Sequence, residues 1–390
     1  MKGNVGTDGG QETGMGILAA AERGGFSFEA LADEYPELDQ LRGVKQNPRY
    51  HGEGDVYCHT TMVCRELVNL EEWEGLTAKE RKLLFAAGAF HDIGKPSCTR
   101  LEDGTWTSPR HTIEGEKIFR AMAYRQQKRF GLTWKERETV ARLIRCHGLP
   151  VWFLKKRRPE YELLKAAESV PLKLLYLLSK GDVRGRMNSA PEKLEEYVEL
   201  FGQTAKELGI WEEPYPFAND YTRYRYYHSD SLWEGSELFD STSFDVWMMA
   251  GLPLSGKDTW IEHHGKGLPV ISLDDIRQEY GISPRNHSGK VVQIAMERAR
   301  VFLRKKEPFI WNATNLIADN RRKLCSLFSA YEARVRLIYL EVPYEEIIHR
   351  NQKRERSLPE QVLERMIDGM EMPEAWEVYG FEKGEGRHVL

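Results

Sequence analysis

The sequence predicts a multidomain chain, an all-α domain followed by an α/β domain built on a parallel sheet, and three observations carry that reading. The chain has 390 residues, more than one hydrophobic core usually holds, and such a length corresponds to roughly two or three domains. From about Phe26 to Leu208 apolar residues recur at helical spacing, with no convincing alternating strand between them. After Phe244 the pattern changes to short apolar runs followed by helical stretches, and repeated strand-helix units pack as a parallel sheet covered on both faces.

Each element follows in order. Helices are expected at Thr61–Leu70, Ala78–Phe90, Trp134–Arg145, Val170–Leu178 and Leu194–Leu208. Residues 210–243 lose the helical period, carry Pro214 and Pro216, and read as an interdomain connection between domains at 1–209 and 244–390. Their cluster from Tyr221 to Tyr227 is suited to filling an interface, or to stacking on bases. Buried strands are expected at Val246–Ala250, Leu268–Leu273, Phe309–Trp311 and Val335–Val342.

Composition narrows the function classes. Hydrophobic residues at 41% and charged residues at 30% describe a globular protein rather than a disordered one. A formal charge of −4 argues against coating long nucleic acid through a broad basic surface, whereas gripping a strand end needs few phosphate contacts. The five cysteines contain no CxxC pair, so neither a disulfide framework nor a zinc knuckle is expected, and a reducing cytoplasm is the default location. No apolar run approaches bilayer length, so no membrane partner is expected, and Met1 to Gly16 reads as a loose polar tail without a signal-peptide pattern.

The second domain opens with Gly251-Leu252-Pro253-Leu254-Ser255-Gly256-Lys257-Asp258-Thr259, directly after a strand and at the start of a helix. In that context a GxxxxGK sequence is a phosphate loop: glycines let backbone N–H groups turn inward, Lys257 adds positive charge, and the helix dipole points at the anion. Asp258 stands where a Ser or Thr hydroxyl normally meets Mg²⁺, with Thr259 one residue later; a carboxylate also suits Mg²⁺. Asp274 follows the second strand, placed to deprotonate an attacking hydroxyl, and Arg277 has the fork to clamp a phosphate. Arg350 to Arg354, at a helix end before Pro359, suit a lid over the transferring phosphoryl. Lys353 and Arg356 read instead as a solvated basic helix end.

These residues resemble the P-loop polynucleotide kinases, whose pattern joins a G-x-x-x-x-G-K-S-T loop, an Asp followed three residues later by Arg, and a lid bearing R-N-x-x-K-R. The lid here, Arg350-Asn351-Gln352-Lys353-Arg354, is one residue shorter between Asn and Lys. The resemblance implies ATP or another NTP with Mg²⁺, Asp274 as base for a 5′-hydroxyl, Arg277 on the phosphate flanking the acceptor, and Arg350 and Arg354 on the donor phosphates. Trp311 to Asn315 resembles the strand-end segment of that family, with Asn312 where Asp is frequent.

In the first domain His91 and Asp92 stand side by side at the end of an apolar helix and point about 100° apart, so they meet one ion only at a seam between helices. His59, His111, His147 and Asp182 are the donors available to complete a shell; His51 and His228 read as structural or surface residues. The ordered set resembles the HD phosphohydrolase superfamily, which implies metal binding by His59, His91, Asp92 and Asp182. His111 and His147 match positions that hold a second metal or a substrate phosphate in some members. Lys95 is placed to neutralise a phosphate oxygen. A mixed imidazole and carboxylate shell suits Mn²⁺, Ni²⁺, Co²⁺ or Fe²⁺, and such an ion polarises a phosphoryl group and acidifies water. Tyr50 to Thr60 and His91 to Pro96 are especially similar to HD domains associated with tRNA nucleotidyltransferases, which act on 2′,3′-cyclic phosphates and related esters.

The domain order resembles the bacterial two-domain HD and polynucleotide-kinase end-healing enzymes. That resemblance implies RNA or DNA ends and an NTP donor as partners, and a functional link to a nucleic-acid ligase; homo-oligomerisation stays open. The alternatives are an HD nucleotidase fused to a nucleoside kinase, and a non-catalytic nucleic-acid sensor.

Overall fold

The computed structural model describes residues 17, 27–187, 191–265, 267–283, 288–354 and 357–385, so the tail at Met1 to Gly16 and Arg356 lie outside the described residues. The chain divides into two compact units, one of Met1–Val151 with Leu174–Glu199, the other of Trp152–Lys173 with Leu200–Leu390. This division is not linear in sequence, because a segment before residue 174 and the expected linker at 210–243 both belong to the second unit.

The first unit contains α1 (Phe28–Glu34), α2 (Val56–Val68), α3 (Ala78–Phe90), α4 (His111–Arg125) and α5 (Trp134–Cys146). After α6 (Pro159–Ala167), which lies in the second unit, it resumes with α7 (Leu172–Arg184) and the beginning of α8 (Pro191–Glu207). Capping boxes start two of these helices: Thr77 with Glu80 at α3, and Thr133 with Glu136 at α5. Every residue of α3 from Leu83 to Phe90 is buried, as expected of a helix surrounded by others rather than one with a wet face. A short antiparallel hairpin, β1 (Arg100–Glu102) and β2 (Thr105–Thr107), interrupts the helices. The rest of the unit is helical, as expected, among the described residues. Asp103 and Gly104 both turn with positive φ, 47° and 74°, the geometry an Asp-Gly hairpin turn needs, but runs of three residues are too short to show alternation.

Leu67 on α2 fixes how three helices approach. A Cβ on Gly88 of α3 would lie 2.3 Å from its Cδ1, and one on Gly181 of α7 would lie 2.4 Å from its Cδ2. Only hydrogen at both positions lets α3 and α7 close on α2, and that approach brings together residues 59, 91 and 182.

The second unit carries a five-stranded sheet of order β4-β5-β3-β6-β7, with every neighbouring pair parallel. Its strands are β3 (Phe244–Ala250), β4 (Val270–Ser272), β5 (Phe309–Asn312), β6 (Ala333–Glu341) and β7 (Gly380–Glu385). The chain runs from the centre at β3 to the edge at β4 and back inward to β5, then to β6 and β7 on the other side. A loop leaving the carboxyl end of β3 therefore sits at the topological switch point, where open α/β sheets bind ligands. The helices of this unit include α9 (Asp220–Tyr227), α10 (Lys257–His264), α11 (Leu273–Glu279), α12 (Ser288–Lys305), α13 (Ala318–Ser329), α14 (Tyr344–Lys353) and α15 (Glu360–Asp368). Strand β7 is absent from the sequence expectation because its residues, with two glycines and three charges, suit an edge rather than a core.

The expected linker contains α9, and its tyrosines are core residues of the second unit. Tyr221, Tyr224, Tyr226 and Tyr227 are buried. Tyr224 stacks on Tyr379 with ring centroids 3.9 Å apart and bonds Ser329 at 2.8 Å, while Tyr161 of α6 donates to the Tyr227 carbonyl at 3.0 Å. Rings packed in this way have no face left for a base.

Candidate functional site

Two separate sets of side chains carry chemistry, one in each unit. In the first unit His91 ends α3, His147 ends α5 and His111 opens α4, and each ring is anchored by the same device. Nδ1 of His91, His111 and His147 contacts the carbonyl three residues earlier, of Gly88, Ser108 and Ile144, at 2.8, 2.7 and 2.9 Å. A carbonyl only accepts, so Nδ1 carries the hydrogen and Nε2 keeps its lone pair, as in imidazoles prepared to ligate metal. Glu53 lies 2.9 Å from the Nδ1 of His59 as a charged neighbour, without a hydrogen bond of sound geometry.

The free ends converge. His59 Nε2 lies 3.0 Å from Asp182 Oδ1 and 3.3 Å from His91 Nε2; Asp92 reaches His91 Nε2 at 3.2 Å and His111 Nε2 at 3.5 Å. His59, His91 and Asp182 form one group whose donor atoms all lie within 4.8 Å of one another, and Asp92, His111 and His147 form a second. All six metal-ligating candidates of the sequence are therefore brought together.

The set fits a divalent cation. Asp92 is fully buried, yet neither carboxylate oxygen has a hydrogen-bond partner of sound geometry among the described residues. Its close neighbours are the imidazoles and Lys95 Nζ, 2.7 Å from Oδ2. An unsatisfied buried carboxylate costs several kcal/mol, of order 3 or more, unless another charge completes it. Burial opposes ionisation of Asp92, but His91 and Lys95 hold its carboxyl well below the usual range; Arg186 and His59 do the same for Asp182. Burial pushes His147 down to about 3 and lowers His111, whereas at His59 burial is outweighed by the Asp182 and Glu53 carboxylates, which raise it. Lys95 is steadied by Gln46 Oε1 at 2.7 Å.

Three contributors were not legible in the sequence. Arg186 forks onto both oxygens of Asp182 one helical turn away. Glu53 joins His51, at 2.8 Å, to His59, and accepts the Met187 amide at 2.9 Å. His51, expected to be structural, is thus the outer member of a His51-Glu53-His59 chain. Gly94 is the fourth feature: a Cβ there would meet the His111 carbonyl at 2.1 Å, so glycine lets the turn after Asp92 lie against the start of α4.

In the second unit the loop between β3 and α10 takes the form the sequence predicts. Gly251 and Gly256 have φ of 143° and 94°, and a Cβ on Gly251 would meet the Leu340 carbonyl at 2.3 Å. Lys257 folds back over the loop, donating to the carbonyls of Leu252 at 2.8 Å and Gly251 at 3.2 Å. Burial pushes its ammonium down to about 8, partly offset by the carboxylates of Asp258 and Asp274. Ser255 is fully buried, and its hydroxyl has no hydrogen-bond partner among the described residues. Thr259 lies in the first turn of α10.

Asp274 is exposed in the first turn of α11, which Ser272 caps by accepting the Asp275 amide at 3.1 Å. Arg350 reaches the loop, donating to the Leu254 carbonyl at 2.9 Å. Arg354 lies exposed just past α14, and Arg277 contacts the carbonyl of Ser283 at 3.3 Å. Asn312, at the end of β5, donates through Nδ2 to Asp258 Oδ1 at 2.7 Å. The segment after it is laced to the loop as well, by Gly251 N to the Thr314 carbonyl at 2.9 Å and Asn315 Nδ2 to the Met249 carbonyl at 2.7 Å.

Comparison with known proteins agrees with both halves. Residues 56–174 match the HD domain family. Residues 246–373 match the AAA domain family. The chain thus joins an HD phosphohydrolase-type domain to a P-loop kinase-like domain. Among curated proteins it is similar to the bifunctional uridylyltransferase/uridylyl-removing enzyme of Cereibacter sphaeroides, 32% identical over 38% of this chain and 16% of that protein. It is also similar to the multifunctional CCA proteins of Cupriavidus metallidurans, 34% identical over 30% of this chain and 26% of the relative, and of Acinetobacter baumannii, 28% identical over 48% and 39%. The chain therefore spans well under half the length of these relatives. No helix among the described residues is long and apolar enough to cross a membrane.

Proposed function

We propose that the chain heals nucleic-acid ends, with the second unit phosphorylating a 5′-hydroxyl from ATP or another NTP and the first hydrolysing a 2′,3′-cyclic phosphate or a terminal phosphate. One observation carries the reading: a six-donor His and Asp centre and a phosphate loop with a carboxylate near its lysine occur in one chain. RNA cleavage leaves a cyclic phosphate on one side of the break and a 5′-hydroxyl on the other, and ligation requires both to be altered. The relatives' names, a uridylyl-removing enzyme and CCA proteins, keep the first half in the company of nucleotide chemistry.

In the kinase half, Asp274 accepts the proton of the 5′-hydroxyl as its oxygen attacks the terminal phosphorus and the NDP departs. Lys257 and Arg350 hold the donor phosphates, Arg354 joins them, and Arg277 holds the phosphate beside the acceptor. A divalent transition ion, Mn²⁺, Ni²⁺ or Co²⁺, held by His59, His91, Asp92 and Asp182, with His111 and His147 beside it, supplies Lewis-acid polarisation of the phosphoryl oxygens. Lys95 then neutralises a phosphate oxygen, while the anchored Nδ1 atoms keep the imidazoles in one orientation. Water breaks one P–O bond of the cyclic ester, and a second hydrolysis releases phosphate.

The test is an RNA bearing both a 5′-hydroxyl and a 2′,3′-cyclic phosphate, incubated with the chain, ATP, Mg²⁺ and Mn²⁺. Lys257→Ala should lose only 5′ phosphorylation, and His91→Ala with Asp92→Ala should lose only cyclic-phosphate hydrolysis. A free nucleoside that accepts phosphate better than the RNA would replace this reading with nucleotide metabolism. ATP binding without any turnover would replace it with a sensor.

A further inference from the structure

The two irregular positions of the phosphate-loop site face each other. Where the usual loop ends in Ser or Thr, this chain has Asp258; where the strand-end segment usually has Asp, it has Asn312. Phosphate-loop enzymes hold the nucleotide's Mg²⁺ with one neutral loop hydroxyl and one strand-end carboxylate. Here the carboxylate is on the loop helix and the neutral group at the end of β5, with Asn312 Nδ2 2.7 Å from Asp258 Oδ1.

We propose that the two metal-holding groups have exchanged places, so that Asp258 supplies the charged oxygen for the nucleotide's Mg²⁺ and Asn312 supplies the neutral partner that fixes it. The inference rests on reading the second unit as an NTP-using kinase.

Three observations support it. The donor set keeps its single negative charge and hard oxygen chemistry, which is what Mg²⁺ requires. The amide orientation follows from the contact, because a carboxylate only accepts; Nδ2 must face Asp258, and Asn312 Oδ1 is left without that carboxylate as its partner. Asn312 is also placed independently of Asp258, since Thr314 and Asn315 tie its segment to the loop at Gly251 and Met249. A decayed site would carry no reason for the second substitution to oppose the first across a hydrogen bond. An exchange predicts that pairing.

The measurement is the Mg²⁺-dependent gain in affinity for a non-hydrolysable ATP analogue, made on the full chain carrying His91→Ala and Asp92→Ala so that the other metal centre is silent. Asp258→Ser should lose roughly tenfold or more of that gain, since it leaves two neutral groups and no carboxylate. Asp258→Ser combined with Asn312→Asp restores the usual arrangement and should recover the gain to within about threefold of the parent. Melting curves of each variant show whether it is folded, and the metal-free affinity for the analogue serves as the internal reference. An unchanged gain in Asp258→Ser, a double variant no better than Asp258→Ser, or no Mg²⁺-dependent gain in the parent would each overturn the exchange. Failure to phosphorylate a 5′-hydroxyl despite the expected pattern would instead overturn the substrate assigned above, leaving the exchange intact.

Discussion

Arg350 Nη1 donates to the carbonyl oxygen of Leu254 at 2.9 Å while its Nε holds Glu346 at 2.7 Å. One guanidinium thus spans from the last turns of α14 to the middle of the phosphate loop. Leu254 has a positive φ of 68°, a conformation that a side chain adopts only when its surroundings impose it. Arg350→Ala should lower 5′-hydroxyl phosphorylation by about 10³-fold, the lower end for a transition-state arginine. Arg350→Lys should recover little, because an ammonium cannot reproduce the fork. Cyclic-phosphate hydrolysis should be unchanged; a kinase rate within a few-fold of the parent in Arg350→Ala would remove Arg350 from the lid.

Metal occupancy should be visible as stability of the first unit. Asp92 is buried beside Lys95, with neither oxygen in a hydrogen bond of sound geometry among the described residues, and a ligand that binds only the folded state raises its stability by mass action, about 2.7 kcal/mol at a concentration 100 times Kd. Chelation should therefore lower the melting temperature, Mn²⁺, Ni²⁺ or Co²⁺ should restore it, and Asp92→Ala should abolish the response. A melting temperature indifferent to chelator in the parent chain would contradict the centre.

The Leu67 clamp predicts a second-site rescue. Gly181→Ala places a methyl 2.4 Å from Leu67 Cδ2 and 2.8 Å from its Cγ, and Leu67 cannot retreat because its other methyl occupies the space over Gly88. Overpacking of this kind costs about 1–3 kcal/mol. Leu67→Ala removes both methyls and alone costs about 2–5 kcal/mol. The double variant should be more stable than the sum of the singles, measured by denaturant unfolding, and Gly181→Ala should weaken metal binding because Asp182 is the next residue. Strict additivity would show that α7 shifts freely.

Stability should also fall in acid through a network away from the metal centre. Between α4 and α5, Arg120 bonds Glu116 at 2.6 Å and Glu138 at 2.7 Å, and Arg137 bonds Glu138 at 2.8 Å. Burial opposes the Glu138 charge, but Arg120 and Arg137 hold its carboxyl below the ordinary value; for Glu116, Arg142 and Arg120 do so. A carboxyl depressed in the folded state stabilises fully above its unfolded pKa of about 4.3 and loses that contribution as pH falls through the folded value. Glu138→Gln should thus be destabilised at neutral pH, by about 3–5 kcal/mol as for breaking a buried pair, and the gap to the parent should close progressively below about pH 4. A gap independent of pH would mean that Glu138 contributes by packing alone.

How much of this was legible without coordinates depends on the range of each interaction. Periodicity is local, and it placed α3 at Ala78–Phe90 and four of the five parallel strands within a few residues of where they occur. It failed for β7, whose charged residues earn their place only by pairing with β6, and for the tyrosines of α9, whose burial depends on Tyr161 and Tyr379, distant in sequence. The chemistry-bearing residues were legible for another reason: a phosphate loop and a His-Asp pair need particular side chains at fixed spacing, so their types survive in the sequence itself. What orients them does not. Arg186 on Asp182, Glu53 between His51 and His59, and Asn312 against Asp258 are held by contacts between elements, and any Arg, Glu or Asn reads as a surface residue until a partner stands opposite it. Sequence alone determined the two domain types and the order in which they lie along the chain. Tertiary structure decided which neighbours fix those groups, because hydrogen-bond direction and burial exist only once helices and strands have closed on one another.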